Sequence, residues 1–353
     1  MPDVTALRGE QPDLEFVTTL ARRAGAVVRK NFGLGHVGRD IQNKSPADLV
    51  TEVDVFVEKL ITDRILARFP AHKILGEETA DSTSILTADP TWIIDPIDGT
   101  TNFVHGVPYV AVSIGFYVNF EAVLGVVYNP ILDEMFAAEA GHGAWLETWI
   151  VTAEESSSGG DRANLSLDSA AENIDVETSS TSIPNASVVS GTTKRLERRP
   201  LVRGKWAGDT NKVLGESLVG CGFLVQECGK LRSTAENLAE SDRTRIETLY
   251  KNIVANTSAL IPICRDLRRS GSAACDLASL ACGRLDVYFE FGVREWDIAA
   301  GLLICKEAGC VVADFDGKTP LPRELNARRA LVAVNSNILQ QVAEVLVYED
   351  LSS

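Results

Sequence analysis

The sequence predicts a layered protein of helices and sheets, in the α/β or α+β class. Three observations carry this prediction: two helical patterns open the chain, a run of short β segments follows, and helices alternate with strands near the C-terminus. Such a mixed order is typical of helices packed on sheets. Because 353 residues exceed one simple core, we expect two fused halves that share an interface.

The first elements are two amphipathic helices. Apolar residues recur at helical spacing over Leu14–Val28, after Pro12-Asp13 as a start signal. Residues 33–48 predict a loop. A second helix is expected over Val53–Phe69, and it stops at Pro70 because proline cannot continue a helix.

A set of β segments comes next. They are short, apolar and separated by short turns, so we expect neighbouring strands to be antiparallel. The predicted strands are Thr91–Asp95, Val110–Val118, Ala122–Tyr128 and Glu134–Glu139.

Two stretches in the middle of the chain differ in composition. Val151–Ser182 is rich in serine and acidic residues and cannot bury enough apolar surface to offset its ordering entropy. We therefore predict a disordered acidic insertion at 151–185. It divides an N-terminal α+β half, 1–150, from a C-terminal α/β half, 186–353, which holds a mixed-charge insertion near 204–243.

Regular patterning returns in the C-terminal half. Helical and strand-like periodicities alternate there, as expected where helices cover a sheet. The predicted elements are a strand within Gly220–Val225, helices Ile246–Leu260 and Ala273–Ala281, a strand Asp286–Phe291, a helix Ile298–Ala308, strands Cys310–Asp314 and Ala330–Val334, and a final helix from Ile338.

The composition of the chain argues against some classes of binding partner. The formal net charge is −15, and so acidic a surface repels nucleic acid and anionic membranes, so neither is an expected partner. A phosphorylated substrate would also be repelled unless bound cations reverse the local sign. The sequence shows no secretory signal and no run of about 18 apolar residues. With 7 cysteines that are not paired at short spacing, a reducing, cytoplasmic location is expected.

The most informative segment stands at the end of the first predicted strand. Asp95 and Asp98 are so close that they repel each other unless a cation neutralises them. Carboxylates, together with the backbone carbonyl of Ile97, are oxygen ligands of the kind that Mg²⁺ prefers. Gly99 and Thr100 can expose backbone N–H groups at a helix N-terminus, which suits a phosphate oxygen.

Further acids are placed to join this pair. Glu77 precedes the strand, and Asp297 lies between an aromatic residue and the apolar start of a helix. Each acid has a structural alternative: Asp95 and Asp98 suit an Asx-turn, Glu77 a solvated loop, and Asp297 the N-cap of the helix Ile298–Ala308. Together these acids exceed what capping requires, which favours a metal site.

Five segments, in this order, resemble the signatures of the inositol monophosphatase family. The similarity extends over about residues 13–147 and 260–345. The resemblance implies a Mg²⁺-dependent phosphatase of the lithium-sensitive type, a homodimer, and an αβαβα sandwich of the inositol monophosphatase and fructose-1,6-bisphosphatase type. The segments are Lys44–Thr51, Gly76–Glu78, Trp92–Phe103, Gly271–Ala274 and Trp296–Gly301.

The resemblance also implies a ligand set for two metal ions. Asp95 would bridge both ions, Glu77 and the carbonyl of Ile97 would complete the first site, and Asp98 and Asp297 would complete the second. A third, looser Mg²⁺ would face Glu77 through water.

Catalytic and phosphate-binding roles are implied in the same way. Thr100, oriented by Asp54, would position the attacking water together with Glu77. The backbone of Gly99 and Thr100, with Asp98, would hold the phosphate.

Three further residues match positions that contact the substrate or approach it. Glu290 matches an acid that binds substrate hydroxyls, Ala273 lies where the family contacts the inositol ring, and Lys44 lies on a mobile loop near the site. The region around 187–191 aligns too insecurely to carry any residue over.

The predicted reaction is hydrolysis of a small phosphomonoester, with inositol monophosphate as the leading substrate, by metal-activated water. One alternative is a sibling phosphatase that acts on 3′-phosphoadenosine 5′-phosphate, fructose bisphosphate or histidinol phosphate. Another is an inactive relative that serves as a binding or regulatory module. The joint presence of Glu77, Asp95, Asp98, Thr100 and Asp297 argues against the inactive relative.

Overall fold

The structure is a computed structural model that describes residues 11–32, 41–45, 48–81, 84–153, 192–201, 212–223, 228, 231, 239–319 and 325–348. For 41–45, 48–51, 150–153, 192–194 and 327, the description covers the backbone alone. The described parts of 1–148 and 198–353 form one compact body, and Trp149–Glu197 forms a separate unit.

A short hairpin precedes the main sheets. Strand β1 (Ile41–Ser45) pairs with strand β2 (Asp48–Thr51) in an antiparallel ladder. The loop predicted over 33–48 is therefore wrong for its second part, because a four- to five-residue strand pair is too short to give a clear period. Residues 33–40 lie outside the described residues.

In the described part of the chain, the larger sheet has seven strands. In sheet order they are β3 (Lys73–Gly76), β4 (Thr91–Asp98), β5 (Ala111–Val118), β6 (Glu121–Asn129), β7 (Glu134–Glu139), β8 (Gly143–Ala153) and β9 (Thr192–Pro200). β3 and β4 are parallel, whereas the pairs from β4 to β8 are antiparallel, as the short turns predicted.

A smaller sheet of five described strands follows. In sheet order it consists of β11 (Asp266–Arg268), β10 (Leu218–Cys221), β12 (Val287–Phe291), β14 (Arg329–Ala333) and β13 (Val311–Ala313). β10 is parallel to both of its neighbours, and β12 and β13 are antiparallel to β14. β10 lies inside the stretch 204–243, which was predicted as a mixed-charge insertion. This stretch therefore contains a buried strand, and part of the rest lies outside the described residues.

Seven helices of the described chain cover these sheets. They are α1 (Leu14–Asn31), α2 (Glu52–Arg68), α3 (Thr100–His105), α4 (Glu240–Leu260), α5 (Ala273–Ala281), α6 (Glu295–Glu307) and α7 (Ser336–Ala343). None of them is long and apolar enough to cross a membrane. The helices expected at both ends of the chain are confirmed. The two strands on either side of the acidic insertion, β8 and β9, were not predicted, because β8 is mostly apolar without strict alternation and β9 is mostly polar or charged.

The layers are stacked as helix, sheet, helix, sheet, helix. One core packs α1 and α2 against the larger sheet, with Val17, Ile61 and Trp92 buried in it. A second core places α5 and α6 between the sheets, with Leu277 buried in it and α5 in contact with strands of both sheets. α4 and α7 cover the outer face of the smaller sheet, where Leu249 lines a small space beside β12. The predicted αβαβα sandwich is confirmed.

The acidic insertion predicted at 151–185 lies almost entirely outside the described residues, which resume at Thr192 after Ala153. Its disorder stays a prediction, as do the bounds assigned to the two halves.

A buried ion pair ties the start of the smaller sheet to its centre. Lys212 Nζ lies 2.5 Å from Asp286 Oδ1, and both side chains are at most 10% exposed. Asp286 Oδ2 accepts a hydrogen bond of 2.8 Å from the backbone N–H of Leu218, the first residue of β10. One carboxylate thus neutralises a buried ammonium and also accepts the first N–H of a strand.

We expect Asp286→Ala to lower the free energy of unfolding by about 3 kcal/mol, because it removes the carboxylate that neutralises the buried Lys212 ammonium and accepts from the buried Leu218 N–H. Urea denaturation measures this. Asp63→Ala serves as the control. It removes an exposed pair with Lys59 and should cost about 0.5 kcal/mol or less. Equal losses in both variants would contradict the prediction.

Candidate metal centre

Three aspartates from two separate parts of the chain meet at one point. One carboxylate oxygen from each of Asp95, Asp98 and Asp297 lies within 4.8 Å of the others. Asp95 and Asp98 belong to β4, and Asp297 belongs to the first turn of α6. The structure therefore brings together the three aspartates that the sequence singled out.

A local irregularity aims both aspartates of β4 at the same place. Residues three apart on a regular strand point to opposite faces of the sheet. The pairing of β4 with β5 shifts register between Asp95 and Asp98, and such a bulge re-aims side chains. Pro96, which has no N–H for the ladder, fits at this irregularity. The strand predicted to end at Asp95 continues to Asp98 for the same reason.

Asp297 also caps its helix, but from inside the first turn. Its Oδ2 accepts a hydrogen bond of 2.6 Å from the backbone N–H of Arg294, which is the N-cap residue of α6. The predicted N-cap position of Asp297 is therefore wrong, because α6 begins at Glu295 and not at Ile298. Capping and membership of the acidic cluster are compatible in one residue.

Close packing of α6 on the larger sheet delivers Asp297 to β4. A methyl group on Gly125 would lie 2.7 Å from the carbonyl oxygen of Ala300, so the helix touches the sheet backbone. The Tyr117 hydroxyl donates to the carbonyl of Ala299 at 2.9 Å, and the Ser113 hydroxyl donates to that of Trp296 at 3.2 Å. The small residues after Asp297 are thus needed for this approach.

Asp98 is held by the start of another helix. Its Oδ2 accepts hydrogen bonds of 2.6 Å from the Ser272 hydroxyl and 2.6 Å from the backbone N–H of Ala274, at the N-terminus of α5. Burial raises the pKa of Asp98 to about 6, although these hydrogen bonds oppose the rise. Helix N-termini favour negative charge, and the cluster meets two of them, those of α5 and α6.

Glu77 completes the acidic cluster. It follows β3, and its backbone N–H donates to the carbonyl of Ile94 in β4 at 3.1 Å, which keeps it beside Asp95. Burial first, and then repulsion from Asp297 and Asp54, raise the pKa of Glu77 well above its usual range. The neighbouring Asp95 carboxyl partly opposes this rise in the pKa of Glu77. Burial, with repulsion from Glu77 and Asp98, does the same to the pKa of Asp95.

The donor set fits a divalent cation. Asp95 Oδ1 is buried and has no hydrogen-bond partner among the residues that the structure describes, and a buried oxygen in that state is costly. Several carboxylates that mutually raise their pKa values, with a backbone carbonyl between them at Ile97, form a hard-oxygen site. The acidic cluster can therefore hold a metal.

The segment after the cluster supplies a second polar group. Gly99 has φ 92°, a left-handed conformation that favours glycine, and it is the N-cap of α3. The Thr100 hydroxyl donates to the carbonyl of Ile97 at 3.2 Å. Asp54, which the sequence analysis placed beside Thr100, is buried on α2 and raises the pKa of Asp95 by repulsion.

Glu290 lies on the smaller sheet and faces the cluster. Burial raises its pKa to about 7, although a hydrogen bond from the Tyr288 hydroxyl opposes the rise. Its negative charge in turn raises the pKa of Asp297. The carboxylate lies on the backbone of Gly222, where a methyl group would come within 1.7 Å of its carbon.

Two other predicted residues occupy different surroundings. Ala273 is the buried first residue of α5, directly beside the Ser272 hydroxyl that holds Asp98. Lys44, predicted on a mobile loop, lies instead in strand β1, and its side chain is outside the described residues.

Sequence reasoning missed the two residues that support these acids. Ser272 was visible within the segment Gly271–Ala274, but its bond to Asp98 joins residues 174 positions apart and has no local pattern. Gly222 carried no signal, because only the approach of Glu290 from β12 excludes a side chain there.

The raised pKa of Asp98 predicts how the metal-free protein responds to pH. A carboxyl with a pKa of about 6 in the folded protein, against an ordinary value of 3.8, binds protons more tightly when folded, so stability falls as pH rises through that window. In EDTA, we expect Asp98→Asn to raise the free energy of unfolding at pH 8 by about 1–2 kcal/mol and to flatten the slope between pH 4 and 6. Chemical denaturation across pH measures this, with Asp63→Asn as the exposed control. A steeper slope in Asp98→Asn would refute the prediction.

Comparison with known proteins agrees with this geometry. The sequence profile of the inositol monophosphatase family matches residues 10–203 and 210–350. Inositol monophosphatase 2 of Solanum lycopersicum is 34% identical over 323 residues, which are 90% of this chain and 91% of the relative. Inositol monophosphatase 1 of Bos taurus is 32% identical over 338 residues, 95% of this chain and 94% of the relative.

Solved structures show the same fold. The inositol monophosphatase from Anabaena (Nostoc) sp. PCC 7120 has a TM-score of 0.62 at 28% identity, and the match covers 96% of this chain and 97% of that one. The profile match and the relatives identify the family, and the solved structure has the same αβαβα fold. The chain belongs to the inositol monophosphatase family, a family of phosphatases.

Proposed function

We propose that this protein hydrolyses inositol monophosphate to inositol and phosphate with the help of Mg²⁺. The observation that carries the proposal is the acidic cluster, in which three aspartates from β4 and α6 meet within 4.8 Å next to the N-terminus of α3. Carboxylates repel a phosphate ester unless cations lie between them. Hydrolysis of a phosphate ester at this cluster therefore requires bound metal ions.

The metal would be held by the cluster in two to three positions. Asp95 would be shared between ions, with Glu77 and the Ile97 carbonyl on one side and Asp98 and Asp297 on the other. When bound, Mg²⁺ supplies charge neutralisation and a lowered pKa of water.

The residues around the cluster prepare the attacking water. The Thr100 hydroxyl donates to the Ile97 carbonyl, so its oxygen retains lone pairs that can accept a hydrogen bond from water. Glu77, which lies beside Asp95, is placed to accept a proton. Asp54 keeps this side of the site negative and thereby favours cation binding.

The phosphate would bind at the start of α3. The Phe103 N–H donates to the Gly99 carbonyl at 3.0 Å, so the amides of Thr100 and Thr101 precede the first helical hydrogen bond and can donate to an anion. A phosphate bound there would lie between the helix N-terminus and the proposed metal ligands.

Substrate hydroxyls would be recognised from the smaller sheet. Glu290 presents a carboxyl group to the cluster from β12, and Ala273 gives a small apolar surface beside it. A carboxyl group directed at the site suits a polyol such as inositol, because it can accept hydrogen bonds from ring hydroxyls in addition to the one from Tyr288.

Three further proposals rest on membership of the family. We propose that the protein is a homodimer in the cytoplasm and that lithium inhibits it. Sedimentation of the purified chain and phosphate release with added LiCl test the dimer and the inhibition.

Asp95→Asn should reduce Mg²⁺-dependent phosphate release from inositol 1-phosphate by about 100-fold or more, because metal ions contribute several kcal/mol of charge stabilisation. The assay also includes 3′-phosphoadenosine 5′-phosphate, fructose 1,6-bisphosphate and histidinol phosphate. Asp89→Asn is the matched control. It changes an exposed aspartate that pairs with Lys73 just before β4, and its activity should equal that of the parent protein.

The substrate panel separates the alternatives. Preferred release from another ester would keep the metal site and move the substrate. Failure of the folded parent to release phosphate from any ester would overturn the proposal.

Glu290→Gln should raise KM for inositol 1-phosphate by about 10-fold, since it weakens the acceptor for ring hydroxyls by about 1–2 kcal/mol. 4-Nitrophenyl phosphate, which lacks those hydroxyls, should be hydrolysed with an unchanged KM. Steady-state kinetics on both esters measure the difference. An equal loss on both substrates would show that Glu290 serves the site as a whole and does not select the polyol.

A further inference from the structure

A buried glutamate on α2 has no part in the reaction described above. Glu58 is 1% exposed and lies one helical turn after Asp54, so both carboxylates share one face of α2. Its Oε1 is buried without a hydrogen-bond partner among the described residues. A carboxylate at such a position lowers the free energy of unfolding relative to an apolar side chain. A role in the site would account for its presence.

The carboxylate of Glu58 touches both neighbours of Glu77. On one side, Glu58 Oε2 accepts a hydrogen bond of 2.8 Å from the backbone N–H of Glu78. On the other side, it packs on Gly76, where a methyl group would lie 2.5 Å from the carboxyl carbon of Glu58. One side chain therefore clamps the turn that carries Glu77.

The Glu58 carboxylate contacts this turn beyond the end of β3. β3 pairs with β4 only as far as Gly76 and Ile94, so the ladder does not hold the residues beyond it. The Glu77 N–H donates to the Ile94 carbonyl in β4, and the Ala80 N–H donates to the Gly76 carbonyl at 2.8 Å. Glu58 adds its contacts with Gly76 and the Glu78 N–H, so its loss loosens the turn and lets the Glu77 carboxylate shift away from Asp95.

We propose that Glu58 is a positioning residue for the divalent cation, which it serves by fixing the turn Gly76–Glu78 so that Glu77 faces Asp95. The inference deepens the proposed function and rests on it for the presence of the cation. Residues that orient metal ligands in this way typically change metal affinity by about 10-fold to 100-fold when they are removed.

The experiment measures Mg²⁺ binding directly, by isothermal titration calorimetry on the full chain, and compares it with turnover. Glu58→Met, which is apolar and of similar size, should weaken Mg²⁺ binding by about 10-fold or more. Its kcat should recover towards the parent value at saturating Mg²⁺. Glu58→Gln retains an oxygen that can accept from the Glu78 N–H, so its affinity should stay within about 3-fold of the parent.

Ile65→Val is the matched control for stability. Ile65 is fully buried further along the same helix and lies outside the metal centre, so the variant should lose some stability and no Mg²⁺ affinity. If Glu58→Met binds Mg²⁺ as tightly as the parent, or if Glu58→Gln weakens binding as much as Glu58→Met, the positioning role is wrong.

A second pair of variants keeps the inference testable if Glu58→Met fails to fold. Gly76→Ala forces a methyl group into the carboxylate and should weaken Mg²⁺ binding, whereas Gly76→Ala with Glu58→Asp withdraws that carboxylate and should restore part of the affinity. Absence of any rescue would overturn the role of Glu58. A parent protein that binds no Mg²⁺ at all would instead overturn the proposed function together with this inference.

Discussion

Mutual repulsion among buried carboxylates is the constraint on which the site depends. Burial raises the pKa of Glu77, Asp95, Asp98 and Asp297, and neighbouring acids add to the rise at Glu77, Asp95 and Asp297. Such a group of acids stays together only if protons, hydrogen-bond donors or a cation compensate it. The N-termini of α5 and α6 supply donors, and the metal that we propose supplies the rest. The overall charge of −15 makes that compensation necessary for an anionic substrate as well.

The αβαβα order of the layers makes this arrangement possible. The middle helical layer lies against both sheets, so α5 and α6 can direct their N-termini at the end of β4 while Glu290 approaches from the smaller sheet. The approach requires small side chains where α6 meets the larger sheet, at Gly125, Ala299 and Ala300. Any larger residue there would push Asp297 away from Asp95. The packing of α6 on the larger sheet therefore determines how close Asp297 lies to Asp95.

Because these carboxylates repel one another, other residues hold three of the proposed metal ligands in place. Asp98 is held by Ser272 and Ala274, Asp297 by the N–H of Arg294, and Glu77 by the turn on which Glu58 packs. A carboxylate that is repelled by its neighbours moves unless other bonds hold it. The metal-free protein is therefore less stable at a pH where these groups ionise. The same supporting contacts keep the site formed before the cation binds.

The sequence by itself determined the class of fold, most helices and strands, and the residues of the acidic cluster. These are local signals: apolar periodicity defines elements such as Leu14–Asn31, and the segment around Asp95 and Asp98 is contiguous. Only the tertiary structure decided that β4 bulges so that both aspartates face one way, that Ser272 binds Asp98, and that Gly222 must lack a side chain beneath Glu290. Those facts depend on contacts between residues far apart in the chain, and a contact of that kind leaves no period or motif in either partner's own neighbourhood.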